Sequence, residues 1–224
     1  MTVSASAASS ASAASASAAS ASAGSPRLLI APDSFKEALA ASDAAEAMAR
    51  GVRRVLPEAQ IDLCPLGDGG EGTLAALLAA ASEADPIEAR SAQVRDPLGR
   101  DVTAQWGWQP GSRTAIVELA EASGLHLVSP DERDARVADT HGVGELILAA
   151  LDAGAERLIV TLGGSATNDG GSGMLRALGL RLLDADGNEL PAGGAALARL
   201  ARLDVSALDP RLADLKVSAA VDVD

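Results

Sequence analysis

A loop of small and polar residues, GGSATNDGGSG at 163–173, holds the side chains of this sequence that are best suited to chemistry. It follows the apolar run RLIVTL, which predicts a buried strand. Its glycines expose backbone N–H groups at the start of the next predicted helix, an arrangement that binds phosphate without side-chain charge. Ser165, Thr167 and Asn168 add neutral donors. Asp169 adds a carboxylate that could orient a hydroxyl or hold Mg²⁺. A phosphate cradle, a metal site and a flexible turn are the three interpretations.

A second glycine-rich loop, LGDGGEGT at 66–73, combines glycines with acids. Two of its glycines have the spacing of a Walker A motif, but Thr73 stands where that motif has its phosphate-binding lysine. The carboxylates of Asp68 and Glu71 would also repel a polyphosphate unless a cation lay between them. A P-loop is therefore rejected. Two interpretations remain: Mg²⁺ coordination by the acids, or acids that only complement the dipole of the following helix.

A third loop, APDSFKEA at 31–38, supplies Asp33, Ser34 and Lys36 within one turn. Lys36 is the first lysine of the chain, and Lys216 is its only companion. A lysine at the mouth of a strand can act as a point cation for a phosphate or a carboxylate. The alternative is an ordinary solvated surface lysine.

The elements that must position these loops alternate along the first part of the chain. RLLIAP (27–32) predicts a strand, SDAAEAMARGVRRVLP a helix with Ser42 as N-cap, AQIDLCPL a second strand and GTLAALLAAASEA a second helix. This order predicts a parallel sheet covered by helices. Because ligands collect beyond the carboxyl ends of the strands in open α/β sheets, we expect the three loops to lie together.

After residue 83 the alternation of strands and helices gives way to consecutive strand-like segments, which predict a second structural unit. Strand-like segments punctuated by the turn sequences DPLG and QPGS predict an antiparallel meander. The boundaries predicted are a disordered Ala/Ser-rich extension at 1–25, the first part of an α/β domain at 26–83, and a second α/β domain at 84–224. The chain ends in or just after the predicted strand LKVSAAVDVD, which predicts that the sequence is truncated at its C-terminal end.

Composition argues against several function classes. A net charge of −13 disfavours nucleic-acid partners and anionic membrane surfaces, and 1% aromatic residues disfavour base-stacking surfaces. No apolar stretch approaches the length of a membrane span, so a soluble, cytoplasmic protein is expected. The single cysteine, Cys64, rules out a disulfide framework and is expected to be a buried strand residue.

The remaining polar residues carry weaker signals. His126 and His141 are the only histidines and lie far apart, which argues against a histidine-built metal site. His141 is expected to make a polar contact or to cap a helix. Glu118 and Glu121 could face a cleft, although acids at the end of a strand are common without a function. The loop at 163–173 and the segment GVGELI at 142–147 both lack the G-x-G-x-x-G pattern, so dinucleotide binding there is poorly supported.

Six segments taken together, IAPDSFKEALAASDAAEAMARG, LGDGGEGT, RDPLGR, IVELAEASGL, GVGELILAALDAGA and LGGSATNDGGSGML, resemble the bacterial glycerate kinase family. The resemblance runs from about Arg27 to the end of the chain. It implies transfer of the γ-phosphoryl group of ATP to a hydroxyl of D-glycerate, with Mg²⁺, and favours 2-phosphoglycerate as the product. It also implies a flavodoxin-like parallel-sheet domain, incomplete here, and a second, inserted α/β domain with mixed or antiparallel strands, with the active site between the two.

The resemblance, together with the chemistry of the loops, assigns roles to individual residues. Catalysis is assigned to Lys36, Asp68 and Asp169. Metal binding is assigned to Asp68, Glu71 and Asp169, and the roles of Asp68 and Asp169 could be exchanged. Nucleotide and phosphate binding is assigned to Ser34, Gly163, Gly164, Ser165, Thr167, Asn168 and Gly170.

Two departures from the family pattern concern the ends of the chain. The extension at 1–25 lies outside that pattern, and the family continues well beyond the final VDVD. Rival interpretations are therefore a kinase for another small hydroxy acid, or a fragment that binds a nucleotide or metabolite without catalysis.

Overall fold

The N-terminal part of the molecule is a β-α-β-α unit. In the computed structural model, which describes residues 25–35 and 38–221, its elements are β1 (Arg27–Ile30), α1 (Ala41–Val55), β2 (Gln60–Leu63) and α2 (Thr73–Ala80). β1 and β2 pair in parallel, with Arg27 opposite Gln60. The predicted extension, apart from residue 25, and Lys36 lie outside the described residues.

Alanines let α1 lie close to the first sheet. Ala45 and Ala49 are fully buried against Ile30. The helix ends at Val55, two residues before Pro57, as the sequence predicted. The prediction of Ser42 as N-cap was wrong, because the helix begins at Ala41, and Ala40, which makes no side-chain capping bond, precedes it.

A five-stranded mixed sheet forms the second layer. Its strands are β3 (Glu88–Arg95), β4 (Asp101–Gln109), β5 (Thr114–Glu118), β6 (Arg157–Thr161) and β9 (Lys216–Ala220), in the order β3-β4-β5-β6-β9. β3, β4 and β5 pair antiparallel, which confirms the predicted meander, whereas β5, β6 and β9 are parallel. The α/β class with one parallel and one mixed sheet is therefore confirmed. The domain boundary at residue 84 falls between α2 and β3 and stays a prediction.

Helices cover both faces of this sheet. Strand alternation turns Gly107 of β4 toward α2, where Leu74 contacts it. The opposite face carries the largest apolar cluster, in which Trp106 and Val117 pack against Leu146 and Val143 of α4 (His141–Asp152). Burying one such side chain contributes about 1.5–3 kcal/mol. Two short helices, α3 (Leu119–Ser123) and α5 (Ser172–Ala177), begin next to the carboxyl ends of β5 and β6.

The remaining elements are short and surround this core. β7 (Arg181–Leu183) and β8 (Arg202–Asp204) form an antiparallel ribbon, with 3-10 turns at Leu125–Leu127, Pro130–Glu132, Gly194–Arg199 and Pro210–Ala213. Cys64 directly follows β2 and is half-buried, so the expectation of a buried strand residue was wrong. Over the part of the chain that the structure describes, no helix is both long and apolar enough to cross a membrane.

Candidate active site

The glycine-rich loops 66–73 and 163–173 lie against each other beyond the carboxyl end of β6. The Gly163 N–H donates a hydrogen bond to the Gly69 carbonyl at 3.1 Å. A Cβ on Gly163 would lie 2.3 Å from the Gly70 Cα, so only glycine permits this approach. The predicted meeting of these two loops is therefore present in the fold.

The loop after β1 runs beside the loop after β2. The Leu66 N–H donates to the Pro32 carbonyl at 2.9 Å, which continues the parallel pairing beyond the strands. Ser34 is half-buried, and its N–H donates to the Asp33 carboxylate at 2.6 Å. Lys36 is not among the described residues, so its contact with a phosphate or a carboxylate stays a prediction.

The start of α2 is held by an acid from a distant strand. The Glu118 carboxylate, at the end of β5, accepts hydrogen bonds from the N–H groups of Gly72 (2.7 Å) and Leu74 (2.8 Å). Glu118 is 3% exposed. Burial raises the pKa of the Glu118 carboxyl, the two N–H donors partly offset that effect, and the charges of Glu121 and Glu71 add to it. Glu118 therefore anchors loop 66–73 on the mixed sheet.

The two acids of loop 66–73 are both exposed. The Asp68 Oδ1 accepts from the Gly70 N–H at 2.8 Å, which shapes the turn of the loop. The Glu71 Oε1 lies 3.4 Å from Nδ1 of His126. A Cβ on Gly164 would lie 3.2 Å from the Glu71 Cβ, so Glu71 borders the second glycine-rich loop as well.

Asp169 is the most enclosed acid of the candidate site, with 1% of its surface exposed. Its Oδ2 accepts from the N–H and hydroxyl of Thr140 at 3.0 and 2.9 Å, and from the N–H of Gly173 at 2.9 Å. The Ser172 hydroxyl lies 3.4 Å from the same oxygen, and Oδ1 accepts from the Gly171 N–H at 3.1 Å. Donors thus surround both oxygens of this carboxylate.

Two hydroxyls of loop 163–173 face each other. The Ser165 and Thr167 hydroxyl oxygens are 2.8 Å apart, and the Thr167 N–H donates to the Ser165 Oγ at 3.0 Å. Gly164 and Gly170 adopt left-handed backbone conformations, with φ of 72° and 60°. Such conformations turn successive N–H groups toward one side of a loop. Asn168 is exposed beside them.

Two cavities flank the meeting point of the loops. The acidic pocket, of about 240 Å³, is lined by Glu71, Gly72, Leu74, Ala75, Leu78, Gln105, Glu118, Glu121 and His126. The apolar pocket, of about 390 Å³, is lined by Leu119, Thr140, Val143, Val160, Leu162, Ser165, Thr167, Asn168, Asp169, Gly170, Gly171 and Met174. Sequence-predicted site residues therefore line both cavities.

Comparison with known proteins agrees with this arrangement of loops. Residues 28–224 match the model of the glycerate kinase family. The chain belongs to the glycerate kinase family. It is 52% identical over 200 residues to the glycerate kinase of Bacillus subtilis, and 49% identical over 197 residues to the glycerate 2-kinase of Escherichia coli. Each alignment covers 88% of this chain and 51% of the relative.

A solved structure supports the same grouping. The crystal structure of "putative glycerate kinase 2" from Salmonella typhimurium superposes with a TM-score of 0.71 at 46% identity, covering 87% of this chain and 51% of that one. The chain thus spans about half the length of the relatives that it matches. The sequence-based assignment to the glycerate kinase family is confirmed.

The three acids predicted to bind a metal differ in how well they could hold Mg²⁺. Within residues 25–35 and 38–221, no three His, Cys, Asp or Glu side chains form a group that could hold a metal ion. Mg²⁺ needs only one or two carboxylates when phosphate and water complete its shell. Asp68 and Glu71 fit that need because both are exposed on one loop. Asp169 fits it less well because its oxygens accept from five donors.

Two polar residues of the family member were missed or undervalued by the sequence interpretation. Glu118 was noted only as an acid at the end of a strand, and Thr140 was not singled out. Their partners lie 44 and 29 positions away along the chain, at Leu74 and Asp169. No local spacing encodes such contacts. His141, expected to cap or to make a polar contact, is the first residue of α4, and its Nε2 lies 3.5 Å from the Glu145 Oε1.

Proposed function

We propose that the protein is a kinase that transfers the γ-phosphoryl group of ATP to D-glycerate, with 2-phosphoglycerate as the product. The observation that carries this proposal is the contact between Gly163 and loop 66–73. Through this contact, loop 163–173, whose backbone N–H groups suit phosphate, lies directly against loop 66–73, whose exposed carboxylates suit Mg²⁺. Phosphoryl transfer needs mainly positioning and charge neutralisation, and these two loops offer both.

The phosphates are assigned to loop 163–173. The backbone N–H groups of Gly164 and Gly170 and the hydroxyls of Ser165 and Thr167 would donate to the phosphoryl oxygens. Gly163, whose N–H donates to the Gly69 carbonyl, would hold the loop in place for them. A donor that is already aimed at developing charge stabilises a transition state by about 2–4 kcal/mol. Replacing Ser165 by alanine should therefore lower kcat by a matching factor, with little change in stability because its hydroxyl is exposed.

Asp68 and Glu71 are assigned to Mg²⁺, which supplies neutralisation of the phosphate charge when it is bound. In the balanced reaction the glycerate hydroxyl oxygen forms a bond to the γ-phosphorus, the bond from that phosphorus to the β,γ-bridging oxygen breaks, and the hydroxyl proton leaves. We assign acceptance of that proton to Asp68 because its carboxylate is exposed at the loop. Asp169, predicted from the sequence as base or metal ligand, is instead assigned to positioning loop 163–173, because donors surround both of its oxygens.

The cationic partner of the substrate is assigned to loop 31–38. Lys36 would neutralise the glycerate carboxylate or the transferred phosphoryl group. Ser34, half-buried in the same loop, would donate to the nearest oxygen. A cytoplasmic location, favoured by the composition alone, belongs to this proposal too.

Activity is tested by incubating the chain with ATP, MgCl₂ and D-glycerate and following ADP release. Phosphorus NMR then identifies the product as 2- or 3-phosphoglycerate. We expect ADP release only when both D-glycerate and Mg²⁺ are present, with turnover that falls in Asp68→Asn. A panel of L-glycerate, glycolate and D-lactate tests the rival substrate class. ATP binding without ADP release would instead favour a binding fragment that has no catalytic activity.

A further inference from the structure

The apolar pocket is lined by apolar side chains at its bottom and by polar groups at its rim. Val143 and Val160 are buried at its base, with 1% and 6% of their surfaces exposed. Leu162, immediately before the glycine-rich loop, is 42% exposed at the mouth, and the half-buried Met174 forms one wall. Concave apolar surface that meets solvent favours a ligand with a flat apolar part, and a methionine wall adapts to its shape.

Charge is nearly absent from the lining of this pocket. Among the residues that the structure describes, the only ionisable side chain in the lining is that of Asp169, which is buried and surrounded by donors from Thr140 and the start of α5. Within residues 25–35 and 38–221, no Lys or Arg lines the cavity. A polyphosphate would find no counter-charge here, whereas a neutral heterocycle or sugar would leave no charge unpaired.

The rim offers hydrogen bonds to such a neutral group. The Ser165 and Thr167 hydroxyls point at each other at 2.8 Å, and each can exchange that bond for one to a ligand. The exposed Asn168 amide has no side-chain hydrogen bond to any residue that the structure describes. An amide carries both donors and an acceptor, which suits a ribose hydroxyl or the edge of a base.

We propose that the apolar pocket holds the nucleoside moiety of the phosphoryl donor. The base lies between Leu162 and Met174, and the ribose lies beside the exposed Asn168 amide, which leaves the hydroxyls of Ser165 and Thr167 for the phosphates. The cavity, at about 390 Å³, is near the lower end of the roughly 300–1,000 Å³ of ligand sites, so it takes part of the donor and not the whole triphosphate. The phosphates then run out of the pocket toward Gly163. This inference rests on the proposed kinase function and adds to it the place of the donor's neutral half.

The methionines allow a direct test. The chain has three, Met1, Met48 and Met174, and of the two that the structure describes only Met174 lines the pocket. Met48 lies on α1 and is 43% exposed, so it serves as an internal control. The chain is labelled with ¹³C-methyl methionine and titrated with adenosine in the absence of Mg²⁺, and the signals are assigned with Met174→Leu and Met48→Leu.

We expect the ring current of the bound base to shift the Met174 methyl signal while the Met48 signal stays in place. Adenosine that leaves Met174 unmoved up to its solubility limit overturns the proposal. So does an equal shift of all methionine signals, because that would indicate non-specific contact. A segment of a longer chain that fills the pocket would also appear as an unmoved Met174 signal.

A matched pair of leucine variants gives the second readout. Leu162→Trp should block the mouth of the pocket and weaken binding of adenosine and of ADP on the order of tenfold in calorimetry. Leu203→Trp, on β8 at 55% exposure, should change neither. Binding of D-glycerate should be the same in both variants, and urea unfolding verifies that both are folded. Equal adenosine affinity in the two variants overturns the proposal.

The two proposals fail in different ways. ADP release with glycerate, together with an unmoved Met174, would leave the kinase function standing and move the nucleoside elsewhere. A shifted Met174 signal without any ADP release would leave the nucleoside site standing and overturn the kinase activity of this chain. Absence of both adenosine binding and ADP release would overturn both.

Discussion

Asp169 and Thr140 are joined by two hydrogen bonds to a single carboxylate oxygen, from the Thr140 N–H at 3.0 Å and its hydroxyl at 2.9 Å. The Thr140 hydroxyl oxygen in turn accepts from the Met174 N–H at 2.9 Å. This chain of bonds ties the start of α4 to the candidate phosphate loop and to the start of α5. The position of the cradle therefore depends on a residue that is 29 positions away from Asp169.

We expect Thr140→Val to lower the free energy of unfolding by about 1–3 kcal/mol, because valine keeps the shape but leaves the Met174 N–H without its acceptor. Thr140→Ser keeps the hydroxyl and should retain most of the stability. Urea unfolding followed by tryptophan fluorescence measures both. Wild-type stability in Thr140→Val would show that this bond does not support the loop.

A double-mutant cycle with Asp169→Asn separates positioning from direct catalysis. If Asp169 acts through Thr140, the effects of Asp169→Asn and Thr140→Val on ADP binding should be strongly non-additive. Additive effects would mean that Asp169 contacts the donor or the substrate independently, as the sequence interpretation had it.

Glu118 should make the free energy of unfolding depend on pH, with a sign that follows from its raised pKa. Burial raises the pKa of its carboxyl above the ordinary value of 4.5, so the folded state binds this proton more tightly than the unfolded state. The free energy of unfolding should therefore fall as pH rises from about 4.5 through the folded-state pKa of Glu118. Above that pKa the ionised carboxyl lowers the stability by its full amount. Urea titrations at successive pH values give this slope.

The contribution of Glu118 is isolated as the difference between wild type and Glu118→Gln. Other acids, such as Asp134, whose pKa is lowered to about 2 by its bonds to Arg136, give slopes of the opposite sign that cancel in this difference. Glutamine keeps one acceptor for the start of α2 but presents an amide N–H₂ to the other donor, so a loss of about 1–3 kcal/mol is expected near neutral pH. A difference that does not vary with pH would contradict the raised pKa.

The sequence was informative where local rules operate. Apolar runs that end in polar loops predicted β1, β2 and β6. The loops after β1 and β2 lie side by side because those strands pair in parallel, whereas the loop after β6 comes from the other sheet and meets loop 66–73 through the Gly163–Gly69 hydrogen bond. The prediction failed at Ser42: a cap there would start the helix at Asp43, but the helix begins two residues earlier, at Ala41, without a side-chain cap. Glu118 and Thr140 could not be predicted because their partners come from distant elements. Only the tertiary fold brings those donors and acceptors together.

Gly163 provides a steric test of the contact between the loops. A Cβ there would lie 2.3 Å from the Gly70 Cα, and both atoms belong to backbone that cannot rotate away. Gly163→Ala should therefore separate the loops, lower stability by about 1–3 kcal/mol and weaken ATP–Mg²⁺ binding. The matched control is Gly111→Ala, since a Cβ on Gly111 meets nothing within 4 Å. In urea unfolding and calorimetric titration, Gly111→Ala should have the stability and the ATP–Mg²⁺ affinity of the wild type. Equal stability and affinity of the two variants would contradict a tight contact.

Gly51 and Gly142 lie in α1 and α4, and they should respond to the same substitution with opposite signs. A Cβ on Gly51 meets nothing within 4 Å, so Gly51→Ala should raise the free energy of unfolding by roughly 0.5–1 kcal/mol through helix propensity alone. A Cβ on Gly142 would lie 1.9 Å from the Arg95 carbonyl oxygen, where α4 packs against β3. Gly142→Ala should lower stability by about 1–3 kcal/mol despite the same gain in propensity, because helix and strand must move apart. Urea unfolding of the two variants measures the pair, and a stabilising Gly142→Ala would show that α4 can shift without loss of the packing that carries Thr140 to Asp169.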